Sequence, residues 1–145
     1  MELRVQDEQN VLTRERAMQS VDYWRATAEQ LLTDSPADSY AVRMSYSKLA
    51  SNQGTLLLDR NYVAEAEQTF RFALDIAPSS PEAVFGYVNL LADQNRVEDA
   101  IAIAEKAVNL SANAERWAAE NNIGPAYQSK QFRDLLKQLQ SKKTK

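Results

Sequence analysis

The side chains that could do chemistry in this chain are acids, amides, hydroxyls and cations, because it contains neither histidine nor cysteine. That removes imidazole acid–base mechanisms, thiolate nucleophiles, disulfides and zinc sites built from Cys or His. General acid–base work by paired carboxylates is what remains, and Glu65 with Glu67 and Glu98 with Asp99 have the spacing for it. Each pair opens a segment that reads as a helix, where a carboxylate meets the positive end of the helix dipole, so both are accounted for without a substrate. No G-x-G-x-x-G, G-x-x-x-x-G-K-[ST] or H-E-x-x-H motif occurs, and the isolated Gly54, Gly86 and Gly124 cannot cradle a phosphate. The sequence therefore implies no enzyme, no catalytic residue, no metal and no cofactor.

The elements that must position any site are helices. Three glycines and four prolines are too few to punctuate a sandwich or barrel, while Ala, Leu, Gln, Glu and Arg abound, which predicts an all-α fold. With 145 residues, 44% of them hydrophobic and 26% charged, the expectation is one domain around one core. The net charge of −3 hides an uneven distribution: residues 1–60 carry −2, residues 61–112 carry −5 and residues 113–145 carry +4. An acidic chain repels phosphate backbones and the terminal bases are scattered along a helix, so no nucleic-acid partner is expected. No stretch approaches the ~20 apolar residues of a membrane span, and MELRVQDEQN lacks the cationic and apolar regions of a signal peptide. No membrane insertion is expected, with the cytoplasm as the default compartment. Asn109-Leu110-Ser111 matches a glycosylation acceptor by chance.

The chain repeats itself at an offset of 34. Val63, Glu65, Ala66, Ala73, Leu74 and Ile76 align without a gap on Val97, Asp99, Ala100, Ala107, Val108 and Leu110. The units are residues 47–80 and 81–114, each reading as two helices around one short turn. With Gly54 at position 8, Ala66 at 20, Phe70 at 24, Ala73 at 27 and Pro78 at 32, the first unit resembles the tetratricopeptide repeat. The second matches at Tyr87, Ala100 and Ala107 but departs at Val84, Val88, Ala104 and Ala112. The first departs at Ala50 and Gln53. Small residues let paired helices approach closely, so Ala66 and Ala100 should be contact points.

Two such units bury too little surface to stand alone, so the flanks must cap them. Residues 1–46 read as N-terminal capping helices. A helix from about residue 5 to Leu32 would bury Val11, Met18, Val21, Trp24, Ala28, Leu31 and Leu32. Of the neighbours Tyr23 and Trp24, one should be buried and one should keep its polar tip in water, or the two form an exposed docking patch. Ser35 as N-cap and Pro36 at the first position would open a second helix running through Tyr40, Met44 and Leu49 to about Asp59. Residues 115–145 read as C-terminal capping helices and a basic tail: Ala114–Glu120 opens a third unit, Asn121-Asn122-Ile123-Gly124-Pro125 stops it, and a last helix buries Phe132, Leu135, Leu136 and Leu139, with Tyr127 near its start and SKKTK as a frayed end.

The resemblance implies a right-handed superhelix of antiparallel helix pairs whose concave face is lined by the opening helices. Carried over by position, the groove holds Lys48, Ser51, Asn52, Thr55, Leu58 and Asp59, then Glu82, Phe85, Gly86, Asn89, Ala92 and Asp93. Phe85 would be the apolar anchor, unless it packs on a neighbouring helix instead. The Lys and Asn set with which some members grip a chaperone's C-terminal carboxylate is absent, since its positions hold Ser51, Thr55, Gly86, Arg116 and Glu120. The expected function is a non-catalytic protein–protein interaction scaffold binding a peptide or protein segment. The alternative is a structural appendage of a larger polypeptide that self-associates or docks on another domain.

Overall fold

A computed structural model describes residues 13–33, 40–120 and 128–143, and those residues are helical apart from short turns. The elements are α1 (Arg14–Thr33), α2 (Tyr40–Asp59), α3 (Val63–Ile76), α4 (Pro81–Asp93), α5 (Val97–Glu120) and α6 (Gln128–Lys143). Helix α2 packs on α3 and α4, α4 on α5, α5 on α6, and α1 lies chiefly against α3.

The 34-residue period reappears as backbone geometry. Asn61 and Asn95 both adopt left-handed conformations, with φ of 68° and 61°. Around the first, the Tyr62 N–H donates to Leu57 O (2.9 Å) and Asn61 N–H to Leu58 O (3.0 Å); around the second, Arg96 N–H donates to Leu91 O (2.9 Å) and Asn95 N–H to Ala92 O (3.0 Å). These paired bonds are a Schellman motif, which satisfies carbonyls left over at a helix end, with asparagine supplying the left-handed residue. The next helix starts at once, because the carbonyls of Tyr62 and Arg96 accept from Ala66 and Ala100. Ala66 and Ala100 are fully buried, as their small size requires at a close approach.

Phe70 ties the two pairs together. Its ring lies 1% exposed beside Gly54 of α2 and Gly86 of α4, so close that a Cβ on Gly86 would stand 2.4 Å from Cε1 and one on Gly54 3.0 Å. Around it gather Leu57, Ala66, Val84, Tyr87, Leu91 and Ala100. A second cluster joins Trp24 and Ala28 of α1 to Ala50, Ala73, Ile76, Ala77 and Ala83.

Several expectations need correction. On α1 the buried stripe is Ala17, Val21, Trp24 and Ala28, whereas Met18 and Leu32 face solvent and Leu31 is half-buried. The inward face follows a spacing of four and three from Ala17, and Met18 and Leu32 stand off that line. Trp24 is buried while Tyr23 is exposed and meets it edge-on, with ring centroids 5.0 Å apart. The third unit's opening helix does not exist as a separate element: α5 runs unbroken through Ala112 and Ala114 to Glu120. Where the first unit has Pro78 to stop α3, the second has alanine, a strong helix former. Helix α6 likewise continues through Ser141 to Lys143 rather than fraying at Ser141, with its last-turn lysines favourably placed on the helix dipole. Phe132, Leu135 and Leu139 of α6 are buried and Leu136 half-buried. Residues 5–12, Ser35, Pro36, the 121–125 turn and Tyr127 lie outside the described residues.

Candidate functional site

Spacings of 4, 3 and 4 put Lys48, Asn52, Thr55 and Asp59 on one face of α2, and spacings of 3, 4 and 4 do the same for Glu82, Phe85, Asn89 and Asp93 on α4. All of these except Phe85 are exposed. Thr55 Oγ1 donates to Ser51 O (3.1 Å), and Glu82 Oε2 accepts from Ser80 Oγ (3.3 Å). One lysine against Asp59, Glu82 and Asp93 makes the two faces mildly acidic.

Two positions carried over from the family pattern are not available to a ligand. Ser51 is 2% exposed, and its hydroxyl donates to Ser47 O (2.8 Å) inside α2. Its side chain lies on the inward side of the helix, so it cannot line a groove. Gly86 is half-buried, and its missing side chain makes room for Phe70. Phe85 is half-buried with its ring centroid 5.9 Å from that of Phe132, a fully buried residue of α6. The aromatic edge at this face is therefore shared with the terminal helix. Leu58 and Ala92 are half-buried, Leu58 against the main core.

The acid pairs do more than meet helix dipoles. Glu67 Oε2 accepts from Arg71 Nη2 (2.8 Å) and Tyr87 OH (2.9 Å), and its Oε1 accepts from Arg96 Nη1 (2.8 Å). Arg71 Nε donates to the same Tyr87 oxygen (2.8 Å), so one carboxylate links α3, α4 and the turn before α5. The Arg96 hydrogen bond, against the opposing cost of burial, holds the Glu67 carboxyl below the ordinary glutamate range. Burial raises the Tyr87 phenol, while the Tyr87 contact raises the Arg71 guanidinium. Glu65 is buried and paired with Arg14 of α1, whose guanidinium also lies over the Tyr62 ring at 4.9 Å. Asp99 pairs with Arg96 (3.1 Å) and Glu98 with Lys143 of α6 (3.5 Å). Each of these four carboxylates is thus engaged by a cation. Among the described residues no group of histidines, cysteines or acids could hold a metal ion, and no helix is long and apolar enough to cross a membrane.

The sequence model of the tetratricopeptide repeat matches residues 57–123, from the end of α2 through the whole of α5. Over those residues the chain is similar to the tetratricopeptide repeat. Searches of curated proteins and of solved structures returned no match. Tetratricopeptide repeats generally mediate protein–protein interaction and are typically non-catalytic.

Sequence reasoning missed the engagement of Glu67 with Tyr87, which had only alanine-like packing signals to go on. It also missed an apolar stripe on α2, where Val42, Leu49 and Leu56 are exposed. The signal is present in the sequence as a spacing of seven, but spacing alone does not say which face of a helix its neighbours cover.

Proposed function

We propose that this chain is an interaction scaffold, one domain in which residues 47–80 and 81–114 are the repeats and the flanking helices are caps. The stack curves in a right-handed sense, and the outward faces of α2 and α4 form its concave groove. There the amides of Asn52 and Asn89 exchange hydrogen bonds with the backbone of a bound segment, since each offers both donors and an acceptor. Asp59, Glu82 and Asp93 favour basic residues in that segment, and the open edge of Phe85 receives an apolar one. The observation that carries this reading is the exposed polar face on both α2 and α4, the second of which lies within the tetratricopeptide repeat match.

The test is affinity capture followed by titration of the recovered partner against wild type and against Asn52→Ala, Asn89→Ala and Phe85→Leu, each checked by melting. At least one substitution should weaken binding by about tenfold or more, as central contacts usually do. If a genuine partner binds all three like wild type, the groove assignment is wrong.

A further inference from the structure

On α2, Val42, Leu49 and Leu56 are 48%, 56% and 41% exposed. The residues one repeat later than Leu49 and Leu56 are Ala83 and Leu90 of α4, which are 0% and 1% exposed. Those two are sealed because a neighbouring unit stacks on them: Ala83 clusters with Ala50 of α2, and Leu90 with Leu57. The stripe on α2 is thus the same stacking face one unit earlier, and among the described residues no helix covers it. The established interface between units continues onto this surface.

We infer that this face pairs with the α2 of a second copy of the chain. Leu49 stands at the middle of the 20-residue helix, with Val42 seven residues before it and Leu56 seven after. A two-fold axis at Leu49 places Leu49 on Leu49 of the other copy and Val42 on Leu56, and it overlaps two antiparallel helices over their full length of roughly 30 Å. The residues between, Ser45 and Asn52, are exposed and uncharged, so no charge interrupts the stripe. An open head-to-tail stack is disfavoured because the outward face of α6 presents Lys130, Gln131, Arg133, Asp134, Lys137 and Gln138, with no apolar side chain to offer. A contact with its two-fold axis at Leu49 is isologous and closes at two copies. It is small, below about 1,200 Å² of total buried surface, the size class of weak and transient contacts, so association should need high protein concentration.

The chain has no cysteine of its own, which makes engineered thiols clean probes. Sedimentation of the full chain from about 10 to 500 µM should show the mean mass rising toward twice that of the monomer, in keeping with a weak interface. Leu49→Glu should abolish the rise while leaving helicity and the melting temperature unchanged. Under oxidised glutathione, Leu49→Cys should link into dimers, Val42→Cys alone should not, and a mixture of Val42→Cys with Leu56→Cys should. A strict monomer throughout the range would overturn the inference. So would a monomer whose melting temperature falls with Leu49→Glu, because that would show the stripe covered by the chain's own residues. Equal linking of Leu49→Cys and Val42→Cys would overturn the two-fold geometry. The substituted residues are none of the groove's, but Asn52 belongs to both faces, so a groove ligand and a second copy compete for it: failure of dimerisation leaves ligand binding intact, and failure of ligand binding leaves dimerisation intact.

Discussion

Two glycines with different clearances give the sharpest test of how the helices meet. Alanine in place of glycine inside a helix ordinarily gains about 1 kcal/mol. At Gly86 the added carbon would meet a buried ring at 2.4 Å, and overpacking typically costs about 1–3 kcal/mol. Gly86→Ala should therefore lower the melting temperature by a few degrees, Gly54→Ala should have a smaller effect, and Phe70→Leu should turn Gly86→Ala neutral or stabilising. If Gly86→Ala melts at or above wild type, the close approach is not real. The carboxylate of Glu67 supplies a second residue-scale test. Its pKa is depressed in the folded state, so its contribution is complete above the unfolded value, about 4.3, and disappears as pH falls through the lower folded value. Glu67→Gln should cost about 1–2 kcal/mol at neutral pH. In urea titrations the gap from wild type should close as the buffer is taken below pH 4, and a gap constant with pH would remove the charge from the explanation.

Among the elements, the turns were the most legible part of the fold. Asn61 and Asn95, each followed two residues later by a valine that opens an alanine-marked helix, recur at the 34-residue period, and the backbone there is the same twice. Because only a left-handed residue closes these motifs, Asn61→Ala or Asn95→Ala should cost about 1 kcal/mol, while glycine at either place should be neutral or better. Urea midpoints read this directly. What the sequence concealed depends on neighbours rather than on local pattern. Ser51 occupies a groove position in the family pattern, yet it is buried because it lies on the side of α2 turned toward its packed neighbours, its hydroxyl satisfied by a carbonyl one turn back. Met18 looked like core because it is apolar, and it is exposed because α1 turns its other side to α3. The extent of α5 is readable at Ala112, where alanine stands in place of the first unit's Pro78 and nothing stops the helix.

For the molecule as a whole, each helix is held mainly by those next to it, so the ends should govern cooperativity. The buried face of α6 is Phe132, Leu135 and Leu139, and Phe132 also shields Phe85. Phe132→Ala should cost about 3 kcal/mol. Removing residues 128–145 should broaden the unfolding transition and separate the curves followed by circular dichroism and by tryptophan fluorescence. A truncated chain that unfolds as sharply and as late as wild type would show that α6 is an ornament on the stack.

Helix α5 sets a mechanical relation that packing alone does not describe. Its 24 residues make a rod of about 36 Å, against about 20 Å for the 13 residues of α4. The final stretch of α5 therefore projects past its partner as a cantilever, with α6 returning along it. A tilt of about 5° at the base of a rod that long moves its tip by roughly 3 Å. The contact between Phe85 and Phe132, near the start of α6, thus depends on the bending stiffness of one helix. Ala112→Pro would act as a hinge in that beam, and small-angle scattering would register the change in molecular length.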